Sequence, residues 1–327
     1  DDVLVGVNEA FTKFELEGIS QKDLDRIKAG QETQFYNGLS SVLGKGFQLA
    51  QYEIFAGDPG YIAEDVKRIL AVTKEDVQRV YETYIKGKNY ISTSFVPKGQ
   101  TDLILEDSQL AQVVEEKIVE GAEESFDASI AAEYERTPSS FDRSKEPPYG
   151  DTPQINAPTV WEETLSSGLK VYGIENSEVP LVQFQINIRG GLLLEDIKKV
   201  GVSNLLADLL MKGTATKTTA QLENEIESLG ASIYTYTDKE NVYIGGTTLA
   251  KNYDKTIALV QEILLEPRWD ETEFELLKQS TLSRLEQQQA NPNSIAAIEF
   301  DKLIYGKNSL LAQNTLGTPA SVKSITL

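Results

Sequence analysis

Between residues 158 and 305 the spacing of apolar residues switches repeatedly between strand and helix periods, and the order of those switches leaves few folds open. Residues 160–164 and 169–174 alternate on either side of Ser166-Ser167-Gly168, and residues 181–188 alternate again, which places side chains two apart on one face of a strand. The period then lengthens to that of a helix over 200–211. A second helix opens at Thr218, with Gln221 at the capping-box distance. Two more alternating runs, 231–237 and 242–249, precede helical patterns over 253–265, 271–289 and 294–305. Strands ahead of helices predict an α+β fold, with helices packed on a mainly antiparallel sheet.

The earlier residues carry mostly helical signals. Ser20 with Asp23 has capping-box spacing, and Leu24, Ile27, Leu39, Val42, Leu43, Phe47 and Leu49 continue as one long helical pattern. A turn is expected at Asp58-Pro59-Gly60, a short helix through Val66, Ile69 and Leu70, and another opened by Thr73 with Asp76. Residues 89–97 alternate as a strand, which alone cannot bury itself and so implies sheet partners. From 98 to 157 acidic residues dominate and Glu146-Pro147-Pro148-Tyr149-Gly150 excludes regular structure. A helix is expected over 103–118, and the rest of 98–157 reads as a connector. Three domains are therefore expected: 1–97, the C-terminal portion of a preceding domain; 98–157, the connector; and 158–327, the α+β domain. The chain opens inside a helical pattern and closes with Thr326 placed as a cap, much as Thr73 is. The expectation is a piece of a longer, internally repeated protein.

Composition narrows function further. The net charge of -20 repels nucleic-acid phosphates and anionic membrane surfaces, so neither is an expected partner. No apolar run approaches the roughly 20 residues of a membrane span, and a soluble chain is expected. With no cysteine and no histidine, thiolate nucleophiles, disulfides and the nitrogen and sulfur ligands favoured by zinc are all excluded. Gly44-Lys45-Gly46 lacks the glycine five positions earlier and the following Ser or Thr of a phosphate loop, and reads as a helical kink or turn. Tyr234 and Tyr236, two apart on a strand, read as sheet packing rather than base stacking.

The missing histidines matter most at Gly201-Val202-Ser203-Asn204-Leu205-Leu206-Ala207-Asp208-Leu209-Leu210-Met211-Lys212-Gly213-Thr214. In an inverted zinc motif, H-x-x-E-H, histidines at i and i+4 share a helix face and hold zinc, and the intervening Glu activates water. The frame around Asn204 to Asp208 resembles that motif in the pitrilysin, insulinase and mitochondrial-processing-peptidase family of zinc metallopeptidases. Arg189-Gly190-Gly191, Leu229-Gly230-Ala231 with Tyr234 to Thr237, Leu285-Glu286 with Asn291-Pro292, and Leu316-Gly317-Thr318-Pro319 resemble further parts of that family's domain.

The resemblance implies metallopeptidase half-domains and places Asn204 at the first ligand, Ala207 at the general base, Asp208 at the second ligand and Glu286 near the distal ligand. Asn204 offers only an amide oxygen and Ala207 cannot take a proton, so the site is expected to be degenerate, with no catalytic residues and no metal. Zinc is expected instead in the other half of the parent protein, and that active half, on the same parent chain or on a partner subunit, is the expected partner. A peptide substrate is a further expected partner, pairing with the sheet edge formed by Ala231, Ser232, Ile233, Tyr234, Thr235, Tyr236 and Thr237. The expected role is the noncatalytic half of a two-half zinc metalloendopeptidase. Two alternatives stay open: a purely structural scaffold subunit of the same family, and a peptide-binding module without chemistry.

Overall fold

The computed structural model describes residues 2–109, 142, 144–146, 148–152, 154 and 156–327. The chain divides into two compact units, one of Asp1–Val5 with Tyr90–Glu175 and the other of Gly6–Asn89 with Asn176–Leu327.

Helices come first: α1 (Asp2–Glu17), α2 (Gln21–Leu39), α3 (Val42–Ala56), α4 (Ile62–Ala71) and α5 (Lys74–Tyr84). The single long helix expected across Leu24 to Leu49 is in fact two. Ser40 closes α2, and the Ser41 hydroxyl accepts from the Gly44 N–H to cap α3. A serine pair satisfies free backbone groups locally and so competes with helix continuation. Thr73 and Asp76 form the expected capping box of α5.

The strand expected at 89–97 does not form. Ile91 and Phe95 are fully exposed, and among the described residues no strand pairs with the segment, so its backbone has no ladder there to join. The helix expected from residue 103 is also absent where the chain is described. A single 3-10 turn, Thr101–Leu103, ends there, and the next six residues are not helical. Leu103 and Ile104 are exposed and have no apolar face to bury; residues 110–118 lie outside the described set. In the first unit, β1 (Val160–Thr164) and β2 (Lys170–Ile174) make the expected antiparallel hairpin.

The second unit continues with β3 (Leu181–Arg189), α6 (Val202–Leu210), α7 (Thr219–Ser228), β4 (Ser232–Thr237), β5 (Asn241–Leu249), α8 (Tyr253–Leu265), α9 (Glu271–Gln289), α10 (Pro292–Tyr305) and α11 (Pro319–Ser324). The fold is α+β, and its sheet is antiparallel in the order β3-β5-β4. Strand alternation drives Phe184, Ile186, Ile233 and Ile244 to one face, where they meet Leu210, Leu222, Ile226, Leu259, Val260 and Ile263 from α6, α7 and α8. Burying a side chain of this size contributes about 1.5–3 kcal/mol, so this layer anchors the unit. A smaller cluster of Leu205, Leu209, Phe274 and Ile325 joins α6 to α9. The α2 helix packs on α7, where Arg26 donates to Glu227 and the Thr33 hydroxyl donates to the Gly230 carbonyl at 2.6 Å. Among the described residues no helix is long and apolar enough to cross a membrane.

Candidate functional site

Helix α6 is held at both ends by side chains outside it. Its first residue is preceded by Gly201, which has no side chain to cap with and adopts φ +106°. A Cβ there would lie 2.8 Å from the Leu316 carbonyl oxygen, so the glycine of the motif permits both the backbone turn and the approach of the segment before α11. The missing cap is supplied by Glu195. Its carboxylate accepts from the Gly201 and Ser203 N–H groups, each at 2.7 Å, and from the Ser203 hydroxyl. A carboxylate at this end also meets the positive pole of the helix.

At the other end Gly213 has φ +107°, and Thr214 is fully buried. Glu262 on α8 accepts from the Lys217 ammonium and the Thr214 and Thr216 hydroxyls. Those contacts, the ammonium first and the hydroxyls next, outweigh burial and hold its carboxyl down to about 2. The Gly-Thr pair that ends the motif is therefore a structural knot.

Between these ends Asn204 is 8% exposed and Ala207 is 1% exposed, while the Asp208 side chain retains 26% exposure. Asn204 and Asp208 share a face by the i, i+4 rule, and the Asn204 amide donates to Asp208 Oδ2 at 3.3 Å. The cation that meets them is Arg284 of α9. Its Nη1 donates to Asp208 Oδ2 at 3.1 Å, and its Nη2 donates to Asn204 Oδ1 at 3.3 Å. One planar guanidinium thus joins both helix positions. Glu286, two residues further along α9, is exposed.

These residues do not fit zinc. A neutral amide and a single carboxylate remain at the two helix positions, a guanidinium already binds both, and Ala207 offers no base. Among the described residues no group of three or more His, Cys, Asp or Glu side chains is gathered where it would hold a metal ion.

The edge strand lies beside this helix. The Thr235 hydroxyl donates 2.6 Å to the carbonyl of Ala207, which ties the middle of β4 to α6. Ile233, Thr235 and Thr237 are partly buried, whereas Ser232, Tyr234 and Tyr236 are exposed. Tyr236 stands opposite Tyr243 of β5 in register, with rings 4.5 Å apart and 12° from parallel. Tyr234 lies across Gly245, where a Cβ would come within 2.7 Å of its hydroxyl. The expectation that the tyrosines pack on the sheet describes their inner contacts, while nearly half of each ring remains exposed. At the hairpin turn, burial opposes ionisation of Asp238, but the Tyr243 hydroxyl and two backbone N–H groups outweigh it and keep the carboxyl below its ordinary value. Among the described residues β4 is hydrogen-bonded only to β5.

Residues 170–316, the stretch that contains this helix and this edge, match the family model described as Insulinase (Peptidase family M16). Over this stretch the chain is similar to the insulinase family. Similar proteins include an uncharacterized zinc protease of Rickettsia felis, 26% identical over 162 residues that make up 50% of this chain and 39% of that protein. The mitochondrial-processing peptidase subunit beta of Rattus norvegicus is 25% identical over 171 residues, 52% of this chain and 35% of that protein. The chain thus spans well under half the length of these relatives. A solved structure of a peptidase M16 inactive domain from Pseudomonas fluorescens is also similar, with 25% identity, a TM-score of 0.48, and coverage of 51% of this chain and 41% of that one.

Two functional contacts escaped the sequence reading. Arg284 is the only basic residue between Lys278 and Lys302, a cation two residues from Glu286 on the helix expected to supply an acidic ligand, and that was the available signal. Glu195 gave none, because a side chain six residues ahead of a glycine N-cap matches no local capping pattern.

Proposed function

We propose that this chain forms a noncatalytic wall of a two-half zinc metalloendopeptidase and that an extended peptide adds as a strand to the outer edge of β4. The observation that carries this reading is the open edge of β4, tied through Thr235 to the helix on which the resemblance places Asn204, Ala207 and Asp208 at the zinc-motif positions. Backbone pairing at an edge needs no particular side chains, so it survives the loss of a metal centre beside it. The same reading divides the chain at 97 and 157 and places zinc in an active half, on the same parent chain or on a partner subunit. It is supported by relatives named as a zinc protease and as a processing-peptidase subunit. Glu286 has no chemical role in it.

The test is direct. Mixing the 327-residue chain with zinc and an unfolded peptide should give a complex and no cleavage product. Chelator-sensitive hydrolysis by the pure chain would overturn the reading. A purely structural role is favoured by one observation, the Arg284 clamp, which makes α6 a packing element. That second reading predicts no peptide binding at all.

A further inference from the structure

The ladder between β4 and β5 fixes which groups face outward. At the hairpin turn the Asp238 N–H donates to the Asn241 carbonyl, and the pairing then runs one to one, without a bulge, through Thr237↔Val242, Tyr236↔Tyr243, Thr235↔Ile244, Tyr234↔Gly245 and Ile233↔Gly246. Hydrogen-bonded pairs alternate with non-hydrogen-bonded pairs in such a ladder. The main-chain groups of Tyr234 and Tyr236 therefore turn toward β5, and those of Ile233, Thr235 and Thr237 turn toward the open edge. The consequence for an added antiparallel strand is specific. Its hydrogen bonds go to Ile233, Thr235 and Thr237, and the residues opposite Tyr234 and Tyr236 fall in non-hydrogen-bonded pairs, where side chains approach most closely. Both rings are available there, 46% and 44% exposed and stacked 6.1 Å apart.

We infer that Tyr234 and Tyr236 make this edge selective for extended segments with aromatic or β-branched side chains at alternate positions. The inference rests on the edge-pairing reading given above. Aromatic rings stabilise cross-strand pairs chiefly with other aromatics and with β-branched partners, and two such pairs, two residues apart, fit the six-residue length of β4. The occupant is a peptide segment of another chain rather than a second copy of this one, because copies carrying a net charge of -20 repel each other.

The experiment compares two capped, uncharged octapeptides by calorimetric titration against the 327-residue chain. One carries Tyr and Val at alternate positions; the other has Asn at those positions and is otherwise identical. The first should bind roughly tenfold more tightly, the combined effect of two cross-strand pairs. Y234S/Y236S should bring that ratio close to one, and Y234F/Y236F should retain it. Equal affinities for the two peptides, or a ratio unchanged in Y234S/Y236S with a native unfolding transition, would overturn the selectivity while leaving edge pairing intact. Binding of neither peptide would overturn the edge reading and the selectivity together. A concentration-dependent dimer in sedimentation that excludes both peptides would assign the edge to self-association instead.

Discussion

A few side chains decide what α6 is able to do. Arg284 binds a carboxylate and an amide that would otherwise face each other without a cation, and the Asn204 amide oxygen it satisfies is nearly buried. Arg284→Ala is expected to cost about 1–2 kcal/mol, read from urea unfolding. Arg284→Lys should recover less than half of that, since a single ammonium does not reproduce the two-pronged contact. Glu195→Ala should cost a similar 1–2 kcal/mol by freeing two N–H groups at the start of α6. Glu262 supplies the pH dependence. Its folded-state value of about 2 lies below the ordinary 4.5, so its contribution is fully present above pH 4.5 and is lost as pH falls toward 2. The contribution is roughly 2–3 kcal/mol. Unfolding free energies measured from pH 5 to pH 2.5 should fall less steeply in Glu262→Gln than in the parent chain.

Among the elements, those set by an apolar period and a local cap were legible in the sequence. Helices α8 and α9 occupy the residues that their periods indicate, and the capping boxes of Thr73 and Thr218 form as their spacing implies. Residues 89–97 alternate like a strand, yet without a ladder they stay irregular, because strand structure depends on partners that periodicity does not name. Ser40 and Ser41 split a continuous apolar pattern by capping from within it. The candidate site was legible as positions and illegible as contacts. Asn204 and Asp208 follow from helical spacing, whereas Arg284 lies 76 residues beyond Asp208 and meets it only because Leu205 and Leu209 pack on Phe274. The glycine before α6 fixes how that helix begins. Gly201→Ala is expected to lower stability by about 1–3 kcal/mol through positive φ and the clash with Leu316, a loss that thermal unfolding would register.

Across the second unit these links form one path: α9 grips α6 through Arg284, α6 holds β4 through the Ala207 carbonyl, and β4 carries the edge. On this path the positive charge beside Asn204 and Asp208 comes from a side chain. The most direct measurement is the zinc content of the 327-residue chain after incubation with excess zinc and exhaustive dialysis, determined by elemental analysis. With Arg284 already bound to Asp208 and Asn204, far less than one zinc per chain is expected, unchanged by Asp208→Asn. One zinc per chain, lost in Asp208→Asn, would contradict that expectation.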